Sequence, residues 1–302
     1  MSKQRERERV RAKKKQLRSR QFMAGGVVLI LITAVLFLFM NKSSENSNNI
    51  RSISQLNTSD FHSLAFSPTE AETIFFGHHG GLLVSRNGGK DWESTNLKNA
   101  DAMALAIPSS DPQIMYAAGH DVFFKSTDAG ETWNSISTNL PGSDIHGFAV
   151  DPQNADHVFA HVVGLGIFGS EDGGNTWELL SNTVPSSTFN LTVGKDSQTL
   201  YVAAGEAGLL QSLDGGKTWE RIGESAIALT YVPASNLLYI TTLGSTAGLS
   251  YSEDGGQTWT SLGLSGTFLA VAVSPLDPNH IIVVNDEGKV FASRDAGISW
   301  TE

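Results

Sequence analysis

The 302 residues are 40% hydrophobic and 17% charged, with 30 glycines and no cysteine, enough chain for one large domain with a sizeable core. The absence of cysteine excludes a disulfide-stapled scaffold, a Cys-ligated zinc site and thiol chemistry, and an exported chain without it suits a bacterium. Residues 1–20 hold ten Lys/Arg against two Glu, a local +8 within an overall −10, so the remainder carries −18 and disfavours nucleic acid as a partner.

In chain order, residues 1–21 form a basic tail. Residues 22–40 (FMAGGVVLILITAVLFLFM) are uncharged and long enough for a membrane-spanning helix of ~20 residues. No small-x-small cleavage site follows, and the apolar run exceeds a signal-peptide core. The cationic flank sets the N-terminus in the cytoplasm and everything after the span outside. The expectation is a single-pass cell-membrane anchor with a flexible polar linker over 41–49 and a folded domain over 50–302.

The folded part repeats. Six tryptophans close six related octapeptides: SRNGGKDW from Ser85, STDAGETW from Ser126, SEDGGNTW from Ser170, SLDGGKTW from Ser212, SEDGGQTW from Ser252 and SRDAGISW from Ser293. Units of ~40 residues with four short strands read as propeller blades. In blade one the strands are expected at 62–67, 73–78, 82–85 and 91–95, from the axis outward. Each octapeptide is a hairpin turn in which Ser and Asp bond the turn's own backbone, Gly takes positive φ, and Trp packs between sheets. The last unit ends before its fourth strand, and the aligned segments from Leu56, Leu97 and Leu140 place residues 50–55 in the register of a fourth strand. The fold class expected is all-β: a six-bladed β-propeller, preceded by one transmembrane helix and closed by residues 50–55.

These octapeptides resemble the Asp-box (BNR) repeat found in sialidases, sortilin-type receptors, photosystem assembly factors and bacterial surface propellers. The resemblance covers 50–302, and the membrane-anchored bacterial proteins described as glycosyl hydrolase-like or sortilin-like fit it best. It implies the fold and says little about activity.

Propeller geometry sorts the histidines. His157 and His280 fall in first-to-second loops on the Asp-box face, where solvent exposure is expected. The other six gather on the opposite rim: His62 and His146 at the start of inner strands, with Met103 as their counterpart, and His78, His79, His120 and His161 at second-to-third turns. Asp60, Asp101 and Asp144 lie two residues before His62, Met103 and His146, and Glu206 and Glu287 take the turn position in blades four and six. His62, His78, His79, His120, His146, His161 and Glu206 are therefore candidate ligand-binding residues. Within them His62, His79, His120, His146 and His161 are a candidate set for a divalent metal, a donor mixture that suits Zn, Cu or Ni.

Three functions fit these features. The first is a cell-surface binding module whose carbohydrate or protein ligand docks on the His-rich rim. The second is a glycoside hydrolase using two of Asp60, Asp101 and Asp144, and the third an assembly factor for a membrane complex. Sialidases grip their substrate with three inner arginines, whereas Arg51, Arg86, Arg221 and Arg294, the four arginines after the span, fall in Asp boxes or outer strands. That distribution argues against sialidase activity.

Overall fold

The computed structural model describes residues 50–300 apart from Ser59. The basic tail, the expected span at 22–40 and the linker lie outside the described residues, among which no helix is long and apolar enough to cross a membrane. The described chain forms six four-stranded antiparallel sheets.

From the axis outward, blade one comprises Ser63–Phe66, Ile74–His78, Gly81–Ser85 and Glu93–Lys98. Blade two comprises Ala104–Ala106, Met115–Gly119, Val122–Ser126 and Asn134–Ser135. Blade three comprises Ile145–Asp151, Asn154–Val162, Gly166–Ser170 and Glu178–Ser181. Blade four comprises Asn190–Val193, Leu200–Ala203, Leu209–Ser212 and Glu220–Arg221. Blade five comprises Ala226–Val232, Leu237–Thr242, Gly248–Ser252 and Thr260–Ser265. Blade six comprises Phe268–Val273, Ile281–Asn285, Lys289–Ser293 and, from the other end of the domain, Ser54–Gln55.

The inner strands contact one another in cyclic order and line a central channel with a cavity of about 200 Å³. Apolar residues alternate with the pleat so that each sheet offers both faces to its neighbours. The result is one hydrophobic cluster at every blade interface rather than a single core. Tyr116, Phe123, Phe148 and Trp177 fill the junction of blades two and three, and Phe66, Ile74, Phe76, Ile282 and Val284 that of blades six and one.

The ring closes where the aligned segments indicated. Ser54 pairs with Val290 and Gln55 with Lys289, and the Ile53 N–H donates to the Val290 carbonyl at 2.8 Å. Residues 50–55 therefore cover an edge that would otherwise be exposed. A second closure, which the sequence did not suggest, lies on the Asp-box face. There Arg294 of the last box donates two 2.6 Å hydrogen bonds to Glu72 of blade one.

The Asp boxes repeat one hydrogen-bond pattern. The Ser hydroxyl accepts from the N–H of the Gly four residues on at 2.7–2.9 Å in all six. In the five boxes with Asp, its carboxylate accepts from the backbone N–H of the following Thr or Ser at 2.8–2.9 Å. It also accepts from that residue's hydroxyl at 2.5–2.7 Å. These donors favour the ionised carboxylate and hold Asp172, Asp214 and Asp254 down to about 2.

The first box preserves the pattern with exchanged chemistry. Asn87 Nδ2 donates to the Asp91 carboxylate at 2.7 Å, so donor and acceptor swap sides while the 2.9 Å bond from the Asp91 N–H to Asn87 Oδ1 is kept. Two boxes carry Ala where the others have their first Gly, and Ala129 and Ala296 adopt φ of 57° and 58°, a left-handed conformation that costs a residue with a Cβ roughly 1–2 kcal/mol.

Two expectations about the Asp-box face are corrected. His280 is fully buried, its ring edge-on to Phe66 at 4.8 Å, and burial together with the Arg294 charge lowers its pKa to about 4. His157 does not lie in a loop. The second strand of blade three begins at Asn154, carrying His157 into the sheet beside Asp151 at 3.6 Å and Glu171 at 3.2 Å.

Candidate functional site

The turn between second and third strands of one blade pairs its backbone with the start of the next blade. The Ala102 N–H donates to His78 O at 3.1 Å, and Asn99 N–H to Gly80 O at 2.9 Å. One blade further on, His120 forms a β-bridge with Asp144. Each turn histidine is thereby set between the carboxylate of its own blade and that of the next.

A continuous line of contacts results. His79 Nδ1 is 2.8 Å from Asp60 Oδ2, and its Nε2 is 3.6 Å from Asp101 Oδ1. Asp101 Oδ2 is 2.5 Å from His120 Nδ1, and His120 Nε2 is 3.0 Å from Asp144 Oδ1, which is also 3.0 Å from His146 Nε2. His62 Nε2 faces His79 Nε2 at 3.1 Å, and His146 Nε2 faces His120 Nε2 at 3.3 Å. Three overlapping donor groups follow: Asp60–His62–His79, His79–Asp101–His120 and His120–Asp144–His146.

Local structure explains two of these placements. The pairing of blade three's first two strands slips by one residue between Ile145 and Gly147, a bulge that takes His146 out of the regular ladder and re-aims it. Asp60 is fixed by accepting the His79 backbone N–H at 2.9 Å. Burial is the largest influence on the His62 pKa and lowers it, against the opposing pull of Asp60. His62, Met103 and His146 also line the mouth of the central channel.

The structure separates the predicted residues. Asp60, His62, His79, Asp101, His120, Asp144 and His146 come together. His78 does not join them: its ring stacks on Phe76 at 6.3 Å, and Nδ1 accepts the Gly80 N–H at 3.1 Å, which closes the hairpin. Glu206 is exposed on blade four and belongs to none of the donor groups.

His161, expected at a turn and among the metal ligands, is corrected. It sits inside the second strand of blade three opposite Gly147 and is fully buried. Neither ring nitrogen has a hydrogen-bond partner, and burial lowers its pKa to about 4. Its ring lies beneath the rim rather than on it. The role of Asp101, linking two histidines from different blades, had no signal beyond its aligned position.

The family profile described as photosynthesis system II assembly factor YCF48 matches residues 42–196. The chain belongs to the YCF48 family. No curated protein matches it in sequence. Among solved structures, a GH74 enzyme of Niastella koreensis superposes with a TM-score of 0.63 at 20% identity, over 83% of this chain and 46% of that one. YCF48 bound to D1 peptide superposes with a TM-score of 0.54 at 19% identity, over 82% and 83%. A chain of a nidogen/laminin complex gives 0.61 at 15% identity, over 76% and 93%. This YCF48-family chain spans about half the length of the Niastella GH74 enzyme, and identities of this size speak for the propeller fold alone.

Proposed function

We propose that this YCF48-family chain is a membrane-anchored binding propeller, held outside the cytoplasm by residues 22–40, whose rim on blades one to three docks a protein segment. The observation that carries the proposal is the unbroken Asp60–His79–Asp101–His120–Asp144 line on the face opposite the Asp boxes. Three carboxylates within an acidic domain favour a ligand that brings cationic groups or N–H donors. A family described as an assembly factor, with one relative solved in complex with a peptide, supports a protein ligand over a sugar.

The same geometry weighs against glycoside hydrolysis at these residues. Paired catalytic carboxylates flank open space for a sugar and, in the inverting case, a water. Here His79 stands between Asp60 and Asp101, and His120 between Asp101 and Asp144.

Capture from detergent-solubilised membranes by the full-length chain tests the reading. Substituting Asp101→Asn together with His120→Ala is expected to reduce recovery of the bound protein at least tenfold with the fold intact by circular dichroism. Undiminished recovery would remove the rim from consideration, and hydrolysis of a glycan panel that is lost on Asp144→Asn would replace binding with catalysis. For the anchor, protease added to intact spheroplasts should digest the propeller and spare an N-terminal tag; the reverse pattern would invert the topology.

A further inference from the structure

We propose that His120, Asp144 and His146 form a site for one zinc-type divalent cation, bridging blades two and three and leaving a coordination position open to the docked ligand. The three donor atoms make a compact triangle: His120 Nε2 to Asp144 Oδ1 3.0 Å, His146 Nε2 to Asp144 Oδ1 3.0 Å, and His120 Nε2 to His146 Nε2 3.3 Å. Zinc bonds to nitrogen and carboxylate oxygen are about 2.0–2.1 Å, so two ligands of a tetrahedral ion stand roughly 3.3–3.4 Å apart. The triangle needs to open by only a few tenths of an ångström. Three protein ligands with a free fourth position is the arrangement of zinc sites that bind an exogenous group.

The shell behind the triangle points the same way. Asp101 Oδ2 approaches His120 Nδ1 at 2.5 Å, and a carboxylate there holds the proton on Nδ1 and turns the Nε2 lone pair outward, as ligating histidines require. His120 Nε2 faces the Asp144 carboxylate at 3.0 Å. The Asp144 side chain is about half exposed, but its Oδ1 is shielded from solvent and faces both histidine nitrogens. A cation in the triangle would take all three donor atoms as ligands at once. The β-bridge between His120 and Asp144 fixes the two backbones, and the bulge at His146 supplies the third donor, so the triangle is held by main-chain structure and not by flexible side chains alone.

The site lies on the proposed docking rim, yet the argument stands on donor geometry and does not require docking. The experiment therefore uses zinc alone. The full-length chain, stripped with chelator, is titrated with zinc by calorimetry and with cobalt by visible absorption. The expected result is one high-affinity ion per chain and the intense bands of four-coordinate cobalt. His146→Ala should lower affinity at least 100-fold, and Asp101→Asn, which removes a positioning carboxylate, by about 10–100-fold. His62→Ala should stay within about threefold, with thermal unfolding of each variant confirming the fold. If His146→Ala fails to fold, His146→Gln carries the same test. No zinc bound at micromolar concentration, or affinity insensitive to His146→Ala, would overturn the site.

Discussion

At the residue scale, the same side chain serves different ends according to a shift of one or two positions. His79 and His120 sit at turns and reach the rim, whereas His161, expected at the equivalent turn of blade three, falls inside the strand because the hairpin there closes further along the chain, at Val163–Leu165. His280 is buried by the packing of Phe66 from the neighbouring blade. The burial of His280 is not encoded locally, since Phe66 lies more than 200 positions away in sequence, and that of His161 depends on where its hairpin closes; Asp60, His62, Asp144 and His146, by contrast, could be read directly from the repeated Asp-x-His spacing.

The buried histidines give the domain an acid-sensitive stability. His161 and His280 have pKa values lowered from 6.5 to about 4, so the folded state resists the proton that the unfolded chain takes up. Their neutral forms cost nothing extra above pH 6.5, and the penalty grows as pH falls from there to about 4, reaching on the order of 2 kcal/mol each at pH 5. Urea unfolding at pH 7 and pH 5 should show the midpoint falling, and His280→Leu should remove roughly half of that fall. Equal midpoints for the native sequence at both pH values would contradict the burial of these rings.

At the element scale, six octapeptides define six hairpins, and their spacing gives the blade count before any strand is located. The fourth-strand role of residues 50–55 was legible only through register, by aligning the Leu56, Leu97 and Leu140 segments, because a two-residue strand is too short to show its own periodicity. Ile53 packs against the cluster between blades six and one, and Ile50 against that between blades five and six. Trp92 Nε1 donates to Ser54 Oγ at 3.3 Å. Fully burying an isoleucine is worth about 1.5–3 kcal/mol, and with both part-buried, deletion of residues 50–55 should cost about 3 kcal/mol, or roughly 6–12 °C in Tm. A melting temperature within 2 °C of the intact chain would rule out closure by this strand. The Arg294–Glu72 contact is a half-exposed ion pair, worth about 1 kcal/mol at most, and would not rescue the ring.

At the scale of the whole molecule, the propeller divides its labour between two faces. The Asp boxes spend their polar groups on their own turns, with the carboxylates of Asp172, Asp214 and Asp254 held ionised by neighbouring hydroxyl and amide donors. The opposite rim spends its polar groups on contacts between blades and leaves His79, His120 and Asp144 about half exposed. Sequence could assign residues to faces because strand order fixes which turns share an end. It could not show that neighbouring carboxylates are separated by single imidazoles, which is what distinguishes this rim from a paired-carboxylate active site.

Photo-crosslinking resolved by face tests this division most directly. A photo-reactive residue placed at exposed Lys98 or Ser143, beside the rim, is compared in living cells with one at exposed Lys217 or Gln257 in the Asp boxes. The account expects a discrete protein adduct from the rim positions, lost when Asp101→Asn and His120→Ala are added, and none from the Asp-box positions. An adduct confined to Lys217 or Gln257, or one that survives those substitutions, would contradict it.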